Sequence, residues 1–299
     1  MTRHGPADRT ICRARAAAMV AAVACVLAGC MSQAPPASSP SSRPWPAESP
    51  PPRGRVIWML TRAALADLIA EPAIRSGLDG SPVYEIVPPG QEPLAEFDAA
   101  VTVTFPSLAA LSHAVTAGRL PAGTRAVLYD PETWSFTPAA EQRDPVQAAT
   151  RAAGLARAHG LQFIVAPALN LTSVLARGSA APRWQQFLDL HLAARMAKVA
   201  DMIELQAQSL ERDSGTYATF VREAAAQARA VNPGVTVLAG LSTNPPGALV
   251  GSDQLVSAIE ASRASVDGYW LNIPGPSSRC PTCNQKRPDV GIEALRAVL

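Results

Sequence analysis

Eight short apolar runs, each separated from the next by a longer stretch, predict an α/β chain whose strands lie parallel and close into a (β/α)8, TIM-like barrel over residues 55–299. Three observations carry this expectation. Most of the separating stretches have helical character and the length of a parallel crossover, which needs about a dozen residues. Eight such units in this span match the usual size of the fold, roughly 250 residues. The chain also lacks a Gly-x-Gly-x-x-Gly turn after its first strand and a Gly-x-x-x-x-Gly-Lys-Ser/Thr loop anywhere, so the nucleotide-binding forms of the competing doubly wound sheet lose support.

The expected strands are residues 56–60, 83–87, 99–105, 125–130, 162–168, 199–206, 235–241 and 266–273. Ser107 caps a helix that stops at Gly118. Asp144-Pro145 supplies a cap and a first-turn proline for a helix that runs to His159-Gly160. A helix over 183–198 collects Trp184, Phe187, Leu188 and Leu192 near one side, as core packing requires. The segment 215–231 ends at Asn232-Pro233, where proline forbids continuation, and Ser252 begins another helix. The connection 88–98 contains Pro88-Pro89-Gly90 and has no helical pattern, so the barrel is expected to be irregular around residues 83–105. An apolar fraction of 48% with 5% aromatic residues implies a large, mainly aliphatic core.

Ahead of the barrel lie two segments of different character. A basic region ending at Arg15 precedes an uncharged Ala/Val-rich run, 16–28, which is short for a stable membrane span but suits the apolar part of an export signal. It ends in Leu27-Ala28-Gly29-Cys30, which resembles the lipobox of bacterial lipoproteins. That resemblance implies cleavage after residue 29, acylation of Cys30, for example by palmitate, and an extracytoplasmic domain held at the bacterial membrane by lipid. An ordinary signal peptide or membrane anchor with a chance cysteine is the competing reading. Residues 31–54, rich in Pro, Ser and Ala, form an expected disordered tether; with Cys30 they make a segment 30–54 between signal peptide 1–29 and barrel 55–299. Residues 1–29 hold four arginines against one aspartate, so the +2 charge of the whole chain becomes −1 without them. A near-neutral domain has no electrostatic footprint for nucleic acid.

Period-two alternation within 199–208 sets Ile203, Leu205 and Ala207 on one face and Glu204, Gln206 and Gln208 on the other. The apolar set belongs against helices. Glu204 and Gln206 therefore point into the barrel near its carboxyl-terminal mouth, where active sites of this fold lie. Other strand ends add polar groups: Asp130 with Glu132 and Trp134, then Asn170, then Ser242, Thr243 and Asn244, then Trp270 and Asn272. Amides and carboxylates bind hydroxyl groups and an indole offers its face to a sugar ring, so the set suits a carbohydrate, with Gln206, Asn170, Asn244, Trp270, Asn272 and Trp134 as ligand contacts. Paired carboxyls across a cleft are also what glycoside hydrolysis requires. Glu204, on the more apolar strand, is the expected acid. Asp130 or Glu132 is the expected base or nucleophile.

From Arg55 onward the chain resembles barrel glycosidase-like domains in architecture and in where its acids fall, without a family motif such as the Asp-x-x-Asp-x-Asp-x-Glu run of chitinase-like enzymes. The resemblance implies a hydrolase acting on polysaccharide or glycoconjugate. Two other classes stay open, a non-catalytic carbohydrate- or solute-binding lipoprotein and a structural envelope factor. Cys280 and Cys283 have no second pair to complete a metal site, and outside the cytoplasm a local disulfide is expected. His113, His159 and His191 fall in or at the ends of predicted helices without metal-ligand spacing, and no Gly-x-Ser-x-Gly elbow supports acyl transfer. No cofactor or metal is expected.

Overall fold

The computed structural model describes residues 55–245, 248–277, 280–283 and 285–299; the expected signal peptide, Cys30 and the expected tether lie outside them. The order is β1 (Ile57–Thr61), α1 (Arg62–Ile69), α2 (Pro72–Asp79), β2 (Val83–Val87), β3 (Ala100–Phe105), α3 (Leu108–Thr116), β4 (Ala126–Tyr129), α4 (Ala139–Arg143) and α5 (Pro145–Ala158). It continues with β5 (Gln162–Val165), α6 (Thr172–Leu175), α7 (Arg183–Asp189), α8 (Leu192–Ala197), β6 (Met202–Leu205), α9 (Ser214–Val231), β7 (Thr236–Ser242), α10 (Ser252–Ser262), β8 (Gly268–Asn272) and α11 (Pro288–Val298). Every strand pairs in parallel with its sequence neighbours, and β8 returns to β1, closing a (β/α)8 barrel.

Closure sorts the side chains. Residues in register on neighbouring strands point the same way, so the pairs Met59↔Trp270, Ile86↔Thr102, Leu128↔Ile164 and Glu204↔Leu238 all face the interior. The alternate positions Leu60, Val103, Val127, Phe163, Ile203, Leu205 and Tyr269 pack outward in the larger core shared with the helices. In α9 the buried residues Tyr217, Phe220, Val221, Ala224, Ala225 and Ala228 recur every three or four positions, and Phe220 meets Phe187 of α7 edge-on at 5.4 Å. The two caps expected from the sequence are present, Ser107 accepting from Ala110 N and Asp144 from Gln147 N, and the structure adds a third, Asp213, which accepts from Gly215 N and Thr216 N.

The expected helix over 183–198 is interrupted. His191 adopts φ 50°, in the left-handed region, and splits the segment into α7 and α8. Its N–H donates to Leu188 O at 2.9 Å, and Phe187 and Leu188 before the break are buried along with Leu192 and Met196 after it.

The expected irregularity at residues 83–105 is real, and both strands exist. The connection from β2 to β3 carries no helix and packs Leu94 and Phe97 against the core instead. Outward-facing Glu85, 1% exposed, substitutes for helical hydrogen bonding by accepting Leu94 N–H at both carboxylate oxygens, 3.0 and 3.2 Å, with Arg62 at 4.0 Å. Burial raises its pKa, against the Leu94 bond and the Arg62 charge, which lower it.

Closure also fixes where side chains are forbidden. Gly268 on β8 lies so near β1 that a methyl group would overlap the Ile57 carbonyl. At Gly291 the nearest atom to an added Cβ is the flexible Ile273 Cδ1, at 2.8 Å. Urea denaturation of Gly268→Ala is expected to show a loss of about 3 kcal/mol, the upper range for overpacking. Gly291→Ala should lose clearly less, and equal losses would contradict this placement of the β8–β1 seam.

Candidate functional site

The carboxyl ends of β4 to β8 bring the predicted acids into one region. Glu204 projects from β6 into the barrel and is fully buried, at 0% exposure. Its Oε1 accepts from Gln208 Nε2 at 3.5 Å, while its Oε2 has no hydrogen-bond partner. Space for this pair comes from β7, because a Cβ at Gly240 would overlap both Glu204 Oε1 and the Gln208 amide. The buried Tyr217 hydroxyl donates to Gly240 O at 3.1 Å and holds that backbone in place.

Asp130, 7% exposed, accepts from Gln206 Nε2 at 2.6 Å, and the same amide nitrogen donates to Ala166 O at 3.0 Å. One carboxamide thus ties the ends of β4, β5 and β6 together. Glu132 is half-buried and accepts from Asn170 Nδ2 at 3.0 Å; Asn170 Oδ1 in turn accepts Thr133 N–H at 3.0 Å. The pKa of Glu204 lies well above the ordinary carboxylate range, first because burial strips its ionised form of water, then because the negative charges of Asp130 and Glu132 oppose a third. The enclosure thus favours the neutral form of Glu204 over its carboxylate.

Several expected ligand contacts are already occupied by the fold. Asn170 spends both ends of its carboxamide on the neighbouring loop. Trp134 donates from Nε1 to Thr137 Oγ1 at 2.8 Å and meets Phe136 edge-on at 5.3 Å, bracing the β4–α4 loop. Asn244 is buried at 0%, with its N–H on Ser242 Oγ at 3.2 Å. Trp270 faces the interior beside Gly240, 7% exposed, with no partner for its Nε1, and Asn272 is half-buried on the same face. The expected disulfide joins Cys280 and Cys283, with Cα atoms 5.3 Å apart. Cys283 Sγ, which has no proton to donate, rests 3.6 Å from Asn244 O, so the cystine loop lies against the β7 loop.

Sequence reading missed Glu211. In the β6–α9 loop its buried carboxylate, 1% exposed, accepts Ser209 N–H at 2.6 Å and Ser242 N–H at 2.8 Å, fastening that loop to the end of β7. It lies beyond the strand pattern, among the polar residues of a loop, so alternation could not single it out. The strained backbone of Ser209, φ 112°, is the local cost of this turn. Burial pushes the Glu211 pKa up to about 8, opposed by the backbone N–H bonds. Among the described residues no group of three His, Cys, Asp or Glu is arranged to hold a metal, and no helix is long and apolar enough to cross a membrane.

No family model matches the chain and no curated protein matches it. Solved barrels do resemble it. A protein described as an α-L-fucosidase from Bacteroides thetaiotaomicron VPI-5482 aligns with 63% of this chain and 59% of its own at 12% identity, TM-score 0.41. Bee venom hyaluronidase aligns with 81% of this chain and 94% of its own at 9% identity, TM-score 0.43. An aldolase from Escherichia coli K12 aligns with 74% and 76% at 12% identity, TM-score 0.41. The chain spans under two thirds of the length of the first of these.

The raised pKa of Glu211 sets a pH dependence of stability. In the unfolded chain this carboxyl releases its proton near 4.5, and in the folded protein near 8, so the folded state binds the extra proton between those values. Its contribution is complete below pH 4.5 and is lost as pH rises toward 8. Denaturation midpoints are expected to fall across that window, and Glu211→Gln should flatten the slope; an unchanged slope would place the proton elsewhere.

Proposed function

We propose that the protein is a lipid-anchored, extracytoplasmic barrel that hydrolyses a polysaccharide or glycoconjugate by acid–base chemistry at Glu204. The observation that carries this reading is a fully buried carboxyl with one unpartnered oxygen, whose pKa is raised by its burial and by the negative charges of Asp130 and Glu132. Glu204 gives that proton to the glycosidic oxygen as the bond from the anomeric carbon to the leaving oxygen breaks. Asp130 either attacks the anomeric carbon or removes a proton from the attacking water. Gln208 holds Oε1, leaving Oε2 for the proton, and Gln206 fixes the orientation of Asp130. Glu132 adds charge that favours the protonated acid. Proton delivery requires the mouth to open, because Glu204 is sealed in this conformation.

The same sealing favours a second reading. With Glu204 at 0% and Asp130 at 7% exposure, the acids serve equally as an interior network beneath a glycan-binding or structural surface. Turnover on a panel of envelope and plant polysaccharides separates the two. For the hydrolase, Glu204→Gln should lower kcat at least about 100-fold while leaving binding intact, and Asp130→Asn should do the same. Glycan binding without turnover in the parent protein would establish the second reading.

The anchor is tested apart from the site. Cys30 acylation accounts for the export-type segment ahead of it and the tether after it. Each buried methylene contributes roughly 0.8 kcal/mol of membrane affinity, so several chains make a stable anchor. A fatty-acid analogue should label the parent protein and not Cys30→Ala; label on the variant would remove Cys30 as the attachment point.

A further inference from the structure

A cavity of about 420 Å³ lies outside the barrel, between α7, the β6–α9 loop and the start of α10. It is bounded by Trp184, Ser209, Arg212, Asp213, Thr216 and Gln254, and none of the three candidate acids lines it. Its unspent polar groups are mostly donors. Among the described residues Arg212, exposed, has neither ion pair nor hydrogen bond, and the half-buried Trp184 offers an unbonded indole N–H. Gln254 spends its oxygen on Gly251 N–H at 3.1 Å, which leaves its Nε2 free.

The one carboxylate at the rim is already committed. Asp213 Oδ1 accepts Gly215 N–H and Thr216 N–H, both at 3.1 Å, and Oδ2 accepts the Thr216 hydroxyl at 2.8 Å. These bonds hold its pKa below the ordinary range, and its charge faces the positive end of an 18-residue helix, which offsets it locally. A ligand here meets a guanidinium, an amide nitrogen, an indole and the Ser209 hydroxyl, while the one carboxylate at the rim is engaged. That combination fits a sugar ring bearing a carboxylate, its apolar face on the indole and its acid group on Arg212.

We propose that this groove binds an acidic, uronate-type oligosaccharide, as a subsite separate from Glu204. The assignment rests on the carbohydrate reading above for its ligand class, and on its own residues for its location. The groove and the buried acid share one loop. Gln208 touches Glu204 at one end of it, and Arg212 lines the groove four residues later, so a chain seated here lies along the loop that covers the acid.

Titration calorimetry of the full-length protein in detergent tests it, with tetragalacturonate and its fully methyl-esterified counterpart as probes. Tetragalacturonate is expected to bind with an affinity that declines as salt is raised. Methyl esterification and Arg212→Gln should each weaken binding at least 10-fold, Trp184→Phe should weaken it by a smaller factor, and Glu204→Gln should leave it unchanged. Failure to bind at millimolar concentration, or binding indifferent to both Arg212→Gln and esterification, overturns the groove assignment. Binding lost in Glu204→Gln but kept in Arg212→Gln also overturns it, while placing the sugar in the barrel. Acidic-sugar binding with no turnover on any glycan supports the groove and removes the hydrolase reading.

Discussion

The interior of an eight-stranded barrel is narrow, and whatever one strand projects into it a neighbour must make room for. At the centre of this protein β6 contributes a carboxyl and β7 answers with a glycine, since any side chain at Gly240 would occupy the positions of Glu204 Oε1 and the Gln208 amide. The same economy governs the seam, where Gly268 admits the Ile57 carbonyl. Around these two vacancies the remaining interior is filled by Met59, Ile86, Leu128, Ile164, Leu238 and Trp270. The polar centre is thus surrounded by apolar walls, and its electrostatics follow from that enclosure.

Low-dielectric walls make a third negative charge expensive where Asp130 and Glu132 already stand, and this raises the pKa of Glu204. The neighbouring amides then do different work. Gln206 spans three strand ends, Asn170 clamps two loops, and Gln208 marks one oxygen of the buried acid. An acid with a raised pKa, a carboxylate held by an amide, and a closed mouth form one system, because opening it to water would weaken the desolvation that raises that pKa.

Loops without helical hydrogen bonding are secured in this fold by buried carboxylates. Glu85 receives Leu94 N–H across the helix-free β2–β3 connection, and Glu211 receives Ser209 N–H and Ser242 N–H at the β6–α9 loop. Both are 1% exposed and both have raised pKa values, since two or more hydrogen bonds only partly repay the hydration lost on burial. The second of these loops also shapes the groove at Arg212.

The eight strands, most helix starts and the inward direction of Glu204, Gln206, Trp270 and Asn272 were legible in the sequence, because alternation and capping are local and each has a fixed geometric period. So was the irregular stretch after β2, through its prolines. The break at His191 was not legible, since the pattern of Phe187, Leu188 and Leu192 fits one helix. The occupations of Asn170, Asn244 and Trp134 and the role of Glu211 also waited for the fold, because their partners lie far along the chain or in loops with no repeat. By itself the sequence determined the architecture and which face each strand residue takes. Tertiary structure alone decided that Glu204 is sealed, raised in pKa and accommodated by Gly240, because desolvation and steric room depend on atoms brought together from separate strands.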